Sequence, residues 1–154
     1  MPDRAVVFGG SGALGAACVA ELERGGVDVM QISHSLVVGD PDWARRIAEA
    51  PANRIVWAQG RNAGGGIADG DLSDVEALLD ANVLFIIRTM RALLDAAAVA
   101  RDCRVVILSS VWQDLARQEK LAYVVSKSAI AGLIRSLAAD LGPMGVAVNA
   151  VAPG

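Results

Sequence analysis

Short apolar segments alternate with helical segments along the whole chain, and this alternation limits the possible fold more than any other feature of the sequence. Short runs rich in Val and Ile predict buried strands, and longer segments with apolar residues every three or four positions predict helices. The predicted strands are Ala5–Phe8, Val29–Ile32, a very short Leu36–Val38, Arg54–Ala58, Arg104–Leu108 and Val146–Val151. The predicted helices are Leu14–Arg24, Asp42–Ala50, Ser73–Ala100 with a capping box of Ser73 and Glu76, and Tyr123–Leu141. This order predicts an α/β fold in one domain over residues 1–154, with helices on both faces of a doubly wound, mostly parallel sheet.

The composition disfavours several classes of protein. With 54% hydrophobic and 20% charged residues, the chain can bury a core and is not intrinsically disordered. The net charge of −3 and the absence of a basic block disfavour a nucleic acid or an anionic membrane as partner. The N-terminal residues lack a signal-peptide pattern, and no uninterrupted apolar run is long enough for a membrane span, so we expect a cytoplasmic location. Cys18, Cys103 and the single His34 offer no metal-ligand spacing, and both cysteines are predicted to pack in the core.

A glycine-rich turn follows the first predicted strand directly and opens the first helix. Its sequence is Gly9-Gly10-Ser11-Gly12-Ala13-Leu14-Gly15. Glycines let the backbone turn sharply and approach a pyrophosphate, and the free N–H groups at a helix start favour negative charge. The sequence of strand, turn and helix therefore indicates a dinucleotide site. The alternative is a turn that serves tight packing only.

The only tyrosine of the chain, Tyr123, is followed four residues later by Lys127, one of only two lysines. Residues four apart share one face of a helix, so the ammonium group lies beside the phenol. A phenol with its ordinary pKa near 10 is a poor acid or base at neutral pH, and a nearby cation favours its ionised form. Ser110, at the end of a predicted strand, could hold a carbonyl oxygen while Tyr123 transfers a proton. The pattern indicates acid–base catalysis, and the alternative is a surface Tyr–Lys pair.

These motifs resemble the short-chain dehydrogenase/reductase family over nearly the whole chain. The glycine turn is similar to the family's dinucleotide loop, although Phe8 and Ala13 replace its Thr and middle Gly. Ser110, Tyr123 and Lys127 match the family's catalytic Ser and its Tyr-x-x-x-Lys pattern at the usual separation. The resemblance implies a Rossmann-type fold of three layers that binds a nicotinamide dinucleotide.

The resemblance also implies roles for several other residues. Asn82 matches the asparagine that kinks a helix and supports a proton relay to the lysine; a solvent-facing helical Asn is the alternative. Asp40 is a candidate for the acid that touches the adenine, unless it only caps the next helix. The cofactor-binding residues expected on these grounds are Gly9, Ser11, Gly12, Ala13, Leu14, Gly15, Ser33, His34, Asp40, Ala58, Gln59, Gly60, Tyr123, Lys127, Pro153 and Gly154, with no metal.

The sequence departs from the family pattern in two places. The family's Asn-Asn-Ala-Gly reads Trp57-Ala58-Gln59-Gly60 at the end of the strand; a literal Asn62-Ala63-Gly64 follows it, and we prefer the alignment at Gly60 for its spacing to Asn82. Family members also continue beyond the Pro153-Gly154 turn, with a substrate loop, a helix pair and the last strand of the sheet. We therefore expect the sequence to be a truncated form of a family member.

The second predicted strand ends in Ser33-His34-Ser35, where relatives that prefer NAD carry an acid for the ribose diol. Small hydroxyls and a basic His34 fit the 2′-phosphate of NADP(H) better, and NAD(H) is the alternative cofactor. For His34 itself, the alternative is a solvated loop residue without a role in binding. The sequence thus predicts an oxidoreductase that acts on a small carbonyl or alcohol substrate, such as a 3-oxoacyl thioester, an alcohol or a sugar. A non-catalytic dinucleotide-binding or assembly module is the alternative. The apolar face of Ala81–Ala100 predicts a homodimer or homotetramer, because the family pairs this helix.

Overall fold

The computed structural model describes residues 3–154, which form a single parallel sheet with helices on both of its faces. The five strands β1 to β5 are Arg4–Phe8, Asp28–Ile32, Ala52–Trp57, Val99–Leu108 and Ala147–Val151. The six α-helices α1 to α6 are Ala13–Arg24, His34–Gly39, Trp43–Ala48, Leu72–Leu79, Phe85–Asp95 and Leu121–Leu141. Every strand pairs in parallel, in the order β2-β1-β3-β4-β5. The predicted α/β class with a doubly wound sheet is confirmed.

The core lies mainly between the sheet and helices α3, α5 and α6. Phe8 and Trp57 are paired neighbours on β1 and β3, and their rings stack with centroids 5.1 Å apart. Trp43 and Phe85 meet the ring of Phe8 edge-on from the helices above it. The indole N–H of Trp57 donates to the Thr89 hydroxyl at 3.0 Å, so this aromatic cluster keeps its one polar atom satisfied.

A smaller cluster on the opposite face of the sheet holds α1. Val7 and Val56 alternate with the residues of the main core along their strands, and both are buried against Val19 of α1. Successive residues of a strand point to opposite faces, so the continuous apolar runs predicted as strands can fill both layers at once. This arrangement explains why β1 is apolar at every position from Ala5 to Phe8.

The predicted short strand Leu36–Val38 is wrong, because these residues belong to helix α2. The Ser33 hydroxyl accepts a hydrogen bond from the N–H of Leu36 at 3.1 Å and caps this helix. Serine at such a position satisfies an otherwise free N–H group and favours a helix start. Within residues 3–154, β2 is consequently an edge strand, and α2 and α3 occupy the connection to β3.

The predicted single helix Ser73–Ala100 is also wrong in its form. It consists of α4, a π-helical turn over Asp80–Leu84, and α5, and Val99 and Ala100 already belong to β4. The helix start differs too: the Asp71 carboxylate accepts from the N–H of Ser73 at 2.8 Å, so Asp71 is the N-cap in place of the predicted capping box. The wider π turn inserts a residue into the helical spacing, which a pattern of apolar residues does not reveal.

Helix α6 with the turn that follows it, Leu121–Met144, is long and apolar enough to cross a membrane by length and composition alone. Its Lys127 is buried, and the ammonium group donates to the carbonyl of Leu108 on β4 at 3.1 Å. Ile130 of the same helix is part of the main core. We therefore describe α6 as a core helix of the sheet.

The carboxyl ends of all five strands lie at one edge of the sheet because the strands are parallel. The chain leaves β1 for β2 on one side, while β3 and the later strands lie on the other side of β1. Ligands of open α/β sheets bind in the crevice outside the strand ends at such a reversal. The fold thus indicates a ligand site at this edge of the sheet, where Gly9, Ser33, Ala58 and Ser109 follow the first four strands.

Candidate active site

The glycine turn after β1 brings the start of α1 very close to the strand. Gly9 has a φ of 78°, a left-handed conformation that favours glycine, and a Cβ there would lie 2.6 Å from the backbone nitrogen of Gln59. A Cβ at Gly15 would overlap the carbonyl oxygen of Gly9. These two glycines therefore serve the packing of helix on strand, as the packing alternative of the sequence analysis requires.

Gly12 lies in a different environment. It is the N-cap of α1, and no side chain caps the free N–H groups of the first helical turn. A Cβ at Gly12 would meet nothing nearer than the Gly9 carbonyl oxygen at 3.5 Å. The first turn of α1, which includes Ala13 and Leu14, thus keeps N–H groups without a side-chain cap, and a helix start of this kind favours an anion.

A cavity of about 670 Å³ lies beside this turn. Its volume falls within the range of about 300–1,000 Å³ that is typical of small-molecule sites. Six of the predicted cofactor residues line it, namely Gly9, Ser11, Ser33, His34, Gln59 and Gly60. The other predicted cofactor residues are not among those that line this cavity, namely Gly12, Ala13, Leu14, Gly15, Asp40, Ala58, Tyr123, Lys127, Pro153 and Gly154.

Asp40 is the predicted residue that the structure places furthest from a ligand role. Its carboxylate is paired with Arg46 and accepts from the N–H of Asp42 at 2.9 Å. These contacts tie the end of α2 to the start of α3, which is the capping alternative of the sequence analysis. His34, by contrast, turns toward the cavity and lies against Phe85, with ring centroids 5.6 Å apart.

The side chain of Gln59 lines the cavity with an amide whose oxygen and nitrogen are both buried. A buried amide without partners costs free energy, and it is commonly satisfied by a bound molecule or water. The structure shows no partner for this amide among the described residues.

Lys127 is only 4% exposed, and burial lowers the pKa of its ammonium group to about 8. One N–H donates to the carbonyl of Leu108, which fixes the side chain at the carboxyl end of β4. The ammonium nitrogen lies 5.6 Å from the centre of the Tyr123 ring, one helical turn earlier on α6. Because a group with a pKa near 8 is still mostly protonated at pH 7, Tyr123 has a cation beside it.

Ser110 lies at the carboxyl end of the same strand and is buried. Its hydroxyl donates to the carbonyl of Pro153 at 3.4 Å and accepts from the N–H of Trp112 at 3.4 Å. The Pro153-Gly154 turn is thus held beside Ser110, where the backbone N–H of Val111 also donates to Pro153 at 3.0 Å. Ser110, Tyr123 and Lys127 are therefore gathered around the end of β4.

Asn82, at the centre of the π turn, is buried and fully hydrogen-bonded. Its amide oxygen accepts from the N–H of Arg61 at 2.7 Å, and its amide nitrogen donates to the Arg61 carbonyl and to the Ser126 hydroxyl, each at 3.0 Å. This clamp holds the loop after β3 against α6. The solvent-facing alternative for Asn82 is excluded.

Gly60 connects the cavity to the residues at the end of β4. A Cβ at Gly60 would lie 3.6 Å from the Asn82 amide oxygen and 3.8 Å from the Lys127 ammonium nitrogen. The literal Asn62-Ala63-Gly64 lies further along the loop, where Lys120 donates to the Asn62 side chain and the Ala63 carbonyl. The alignment of the family motif at Gly60 therefore places the predicted cofactor residues next to Lys127.

Sequence reasoning missed six residues that line the cavity. They come from the loop after β3 and from α4, the π turn and α5: Arg61, Ala77, Asp80, Ala81, Phe85 and Arg88. No sequence signal marks them, since they are ordinary helical and loop residues that meet at the cavity only through the packing of separate elements. Within residues 3–154, no group of His, Cys, Asp and Glu side chains is arranged to hold a metal ion.

Comparisons with known proteins were made for the whole chain. A family model described as short chain dehydrogenase matches residues 51–154. The uncharacterized oxidoreductase YmfI of Bacillus subtilis is 32% identical over 104 residues, a match that spans 68% of this chain and 43% of that protein. Galactitol 2-dehydrogenase of Rhizobium johnstonii is 33% identical over an alignment of 185 positions, gaps included. The alignment covers 98% of this chain and 70% of that enzyme.

Solved structures share the fold. A short chain dehydrogenase family protein from Francisella tularensis is 26% identical, with a TM-score of 0.87, and the match covers all of this chain and 70% of that one. This chain spans less than half the length of the first curated relatives that it matches, 43% of one and 35% of the next. The matching family model, the galactitol dehydrogenase relative and the common fold agree with the resemblance in the sequence, and the chain belongs to the short-chain dehydrogenase family.

Proposed function

We propose that the protein is an oxidoreductase that uses NADP(H) to interconvert a small carbonyl compound and its alcohol. The observation that carries this proposal is the convergence of two groups of residues at Gly60. Gly60 lines the cavity, and Lys127 and Asn82 lie close to the same residue. A dinucleotide in the cavity would therefore extend toward Tyr123.

The nicotinamide, when bound, supplies a hydride to the carbonyl carbon or accepts one from the alcohol carbon. Tyr123 donates its phenolic proton to the carbonyl oxygen, so that carbon and oxygen each gain one hydrogen in reduction. The Lys127 ammonium, 5.6 Å from the ring centre, stabilises the phenolate that remains. Ser110 orients the carbonyl oxygen by donating a hydrogen bond from its hydroxyl. The present hydrogen bonds of this hydroxyl are long, 3.4 Å each, so a substrate oxygen can readily replace them.

Lys127 has further hydrogen-bonding capacity toward a cofactor. One of its three N–H bonds is used by the Leu108 carbonyl, so two are left for a ribose diol. Asn82 contributes by fixing the backbone of Arg61, and with it Gly60, at the junction of the two groups.

The preference for NADP(H) over NAD(H) is proposed from the end of β2. Ser33 and His34 line the cavity there, and no carboxylate follows the strand in Ser33-His34-Ser35. A ribose diol is usually held by an acid at this place, whereas a 2′-phosphate prefers hydroxyls and cations. The substrate class, a small carbonyl or alcohol, is proposed from the family and from the acid–base role of Tyr123, and the relative named galactitol 2-dehydrogenase is consistent with a polyol among the alcohols.

The test combines turnover with cofactor binding. The purified protein is assayed with NADPH and NADH against a panel of ketones, sugars and 3-oxoacyl thioesters, and with the oxidised cofactors against alcohols. Tyr123→Phe removes only the phenolic oxygen and is expected to lower kcat by at least about a hundredfold, since general acid catalysis contributes about 10²–10⁴. The Kd for NADPH, measured by fluorescence, is expected to change less than about threefold.

Ser136→Ala is the matched control, because Ser136 is an exposed residue further along the same helix. Its turnover should equal that of the unaltered protein. Substantial turnover by Tyr123→Phe would contradict the role of Tyr123. Cofactor binding without turnover on any substrate would favour the alternative, a dinucleotide-binding module without catalysis.

A further inference from the structure

Arg88 and Asp80 form an ion pair in the wall of the cavity. The Arg88 guanidinium lies 2.7 Å from the Asp80 carboxylate, and the two side chains are 65% and 51% exposed. Both residues line the cavity together with Ser33 and His34. Arg88 follows Phe85 by three residues on α5, and Phe85 is the residue that the His34 ring contacts. Arg88 thus lies about one helical turn from the residue that His34 contacts.

A cation that binds a 2′-phosphate is usually found in the glycine turn or just after the second strand, and this chain has no Lys or Arg at either place. The glycine turn, residues 9–15, and the segment after β2, residues 33–39, contain neither residue type. The permanent cations of the cavity are instead Arg61 and Arg88. Gly60, directly before Arg61, lies beside Lys127, and Asn82 clamps the Arg61 backbone at that end. Of the two, Arg88 is the one whose helix carries Phe85, the residue that the His34 ring contacts.

We propose that Arg88 recognises the 2′-phosphate of NADP(H), and that Asp80 holds the guanidinium at the cavity wall until the phosphate binds. This inference rests on the proposed function. A guanidinium has five N–H donors in a planar fork that matches a phosphate. The Asp80 contact uses one nitrogen, Nη1, and leaves the other donors available. The specificity determinant would thus lie on α5 instead of on the strand that usually carries it.

The test measures equilibrium binding, independently of turnover. NADPH and NADH are titrated by fluorescence against the unaltered protein, Arg88→Gln and Arg91→Gln. Arg91 is the matched control, because it is an exposed arginine on the same helix, its guanidinium is bonded to Asp95 at 2.8 Å, and it does not line the cavity. We expect Arg88→Gln to raise the Kd for NADPH about tenfold, since a hydrogen bond to a charged group contributes about that factor or more. The Kd for NADH should change less than about twofold, and Arg91→Gln should change neither.

Asp80→Asn provides a second variant in which the cation is kept. It removes a negative charge that faces the phosphate and frees Arg88, so the Kd for NADPH should fall several-fold while that for NADH does not. An equal effect of Arg88→Gln and Arg91→Gln on NADPH, or equal losses for NADPH and NADH, would overturn the inference alone. An unaltered protein that binds neither dinucleotide would overturn the proposed function, and the inference with it.

Discussion

Lys127 combines a positive charge with nearly complete burial, and the fold keeps it there at a cost. Only the Leu108 carbonyl accepts a hydrogen bond from its ammonium group among the described residues, and no acidic side chain is paired with it. Burial alone lowers its pKa from 10.5 to about 8. Buried groups with such shifts concentrate at functional sites, where charge is kept despite the cost in stability.

The replacement Lys127→Met tests this cost. The folded state disfavours the charged form, so the destabilisation is fully present below pH 8 and disappears as the pH rises from about 8 to 10.5. At pH 7 a shift of this size corresponds to about 3 kcal/mol, from which the unsatisfied Leu108 carbonyl of the variant subtracts about 1 kcal/mol. We expect Lys127→Met to be about 2 kcal/mol more stable than the unaltered protein at pH 7, with a smaller or reversed difference at pH 10.5.

Urea denaturation of both proteins at pH 7, 9 and 10.5 measures this difference. Cys103 titrates in the same pH range, because burial raises the pKa of its thiol to about 12. The effect of its thiol on stability is opposite to that of Lys127. Because the thiol keeps its proton more strongly in the folded state than in the unfolded state, rising pH lowers the stability through this group. Since Cys103 is present in both proteins, its contribution cancels in the difference. A stability difference that stays constant between pH 7 and 10.5 would contradict the account of Lys127.

At the scale of elements, the turn from β1 into α1 divides its work between two kinds of glycine. Gly9 and Gly15 allow the helix to approach the strand, whereas Gly12 has open space before it. From the sequence, tight packing and phosphate binding were alternative roles for the glycine turn. The structure assigns packing to the first pair and leaves the uncapped helix start at Gly12 for the ligand.

Alanine substitutions at Gly15 and Gly12 separate these two tasks. Gly15→Ala forces the helix away from the Gly9 carbonyl and should destabilise the protein by about 3 kcal/mol, the upper part of the range for overpacking. Gly12→Ala should change stability by less than about 1 kcal/mol. It should nevertheless weaken NADPH binding at least about tenfold, because the added methyl group stands where the pyrophosphate approaches. Thermal unfolding and fluorescence titration of each variant measure the two effects, and equal stability losses would contradict this division.

The π turn at Asp80–Leu84 connects the loop after β3 with helix α6. It places Asn82 where one side chain can bind the backbone of Arg61 and the Ser126 hydroxyl together. Such turns are found frequently at functional sites, since they change the direction of a side chain within a helix. Beyond the turn, Phe85 and Arg88 face α2, so the same turn also sets the wall of the cavity.

At the scale of the whole molecule, helix α5 leaves apolar side chains uncovered. Leu84 and Ile87 are 41% and 42% exposed, on the side of the helix that faces away from the sheet. Much of α6 is likewise only half-buried and rich in small apolar residues. We propose that two copies of the chain pair through these helices, as the apolar face of the sequence predicts.

Ile87→Asp would place a charge in such an interface, where burial of an unpaired carboxylate is strongly unfavourable. The unaltered protein is expected to be a dimer or tetramer by light scattering, and Ile87→Asp a monomer or a weaker oligomer. Ile67→Asp is the control, because Ile67 is 79% exposed in the loop after β3 and lies outside both helices. An unaltered protein that is monomeric at micromolar concentration would contradict this proposal.

The sequence by itself determined the α/β class, the approximate positions of the five strands of the parallel sheet, and the family. These features depend on local spacing: apolar runs, the glycine turn, and Lys127 four residues after Tyr123. Because such patterns involve neighbouring residues, they survive without knowledge of the fold. The boundaries of α2 and of the divided helix were not predicted, since a serine cap and a π turn compete with apolar periodicity and leave no regular pattern of their own.

Only the tertiary structure decided which residues meet at the cavity and in what electrostatic state. The ion pair of Asp40 with Arg46 is one such contact, and the role of Asp40 toward the adenine stays a prediction. Arg88 and His34 lie on different helices, far apart in the chain, and line one cavity. The burial that shifts the pKa of Lys127 is likewise a property of the assembled core. Contacts of this kind depend on the packing of distant segments, which no local pattern encodes.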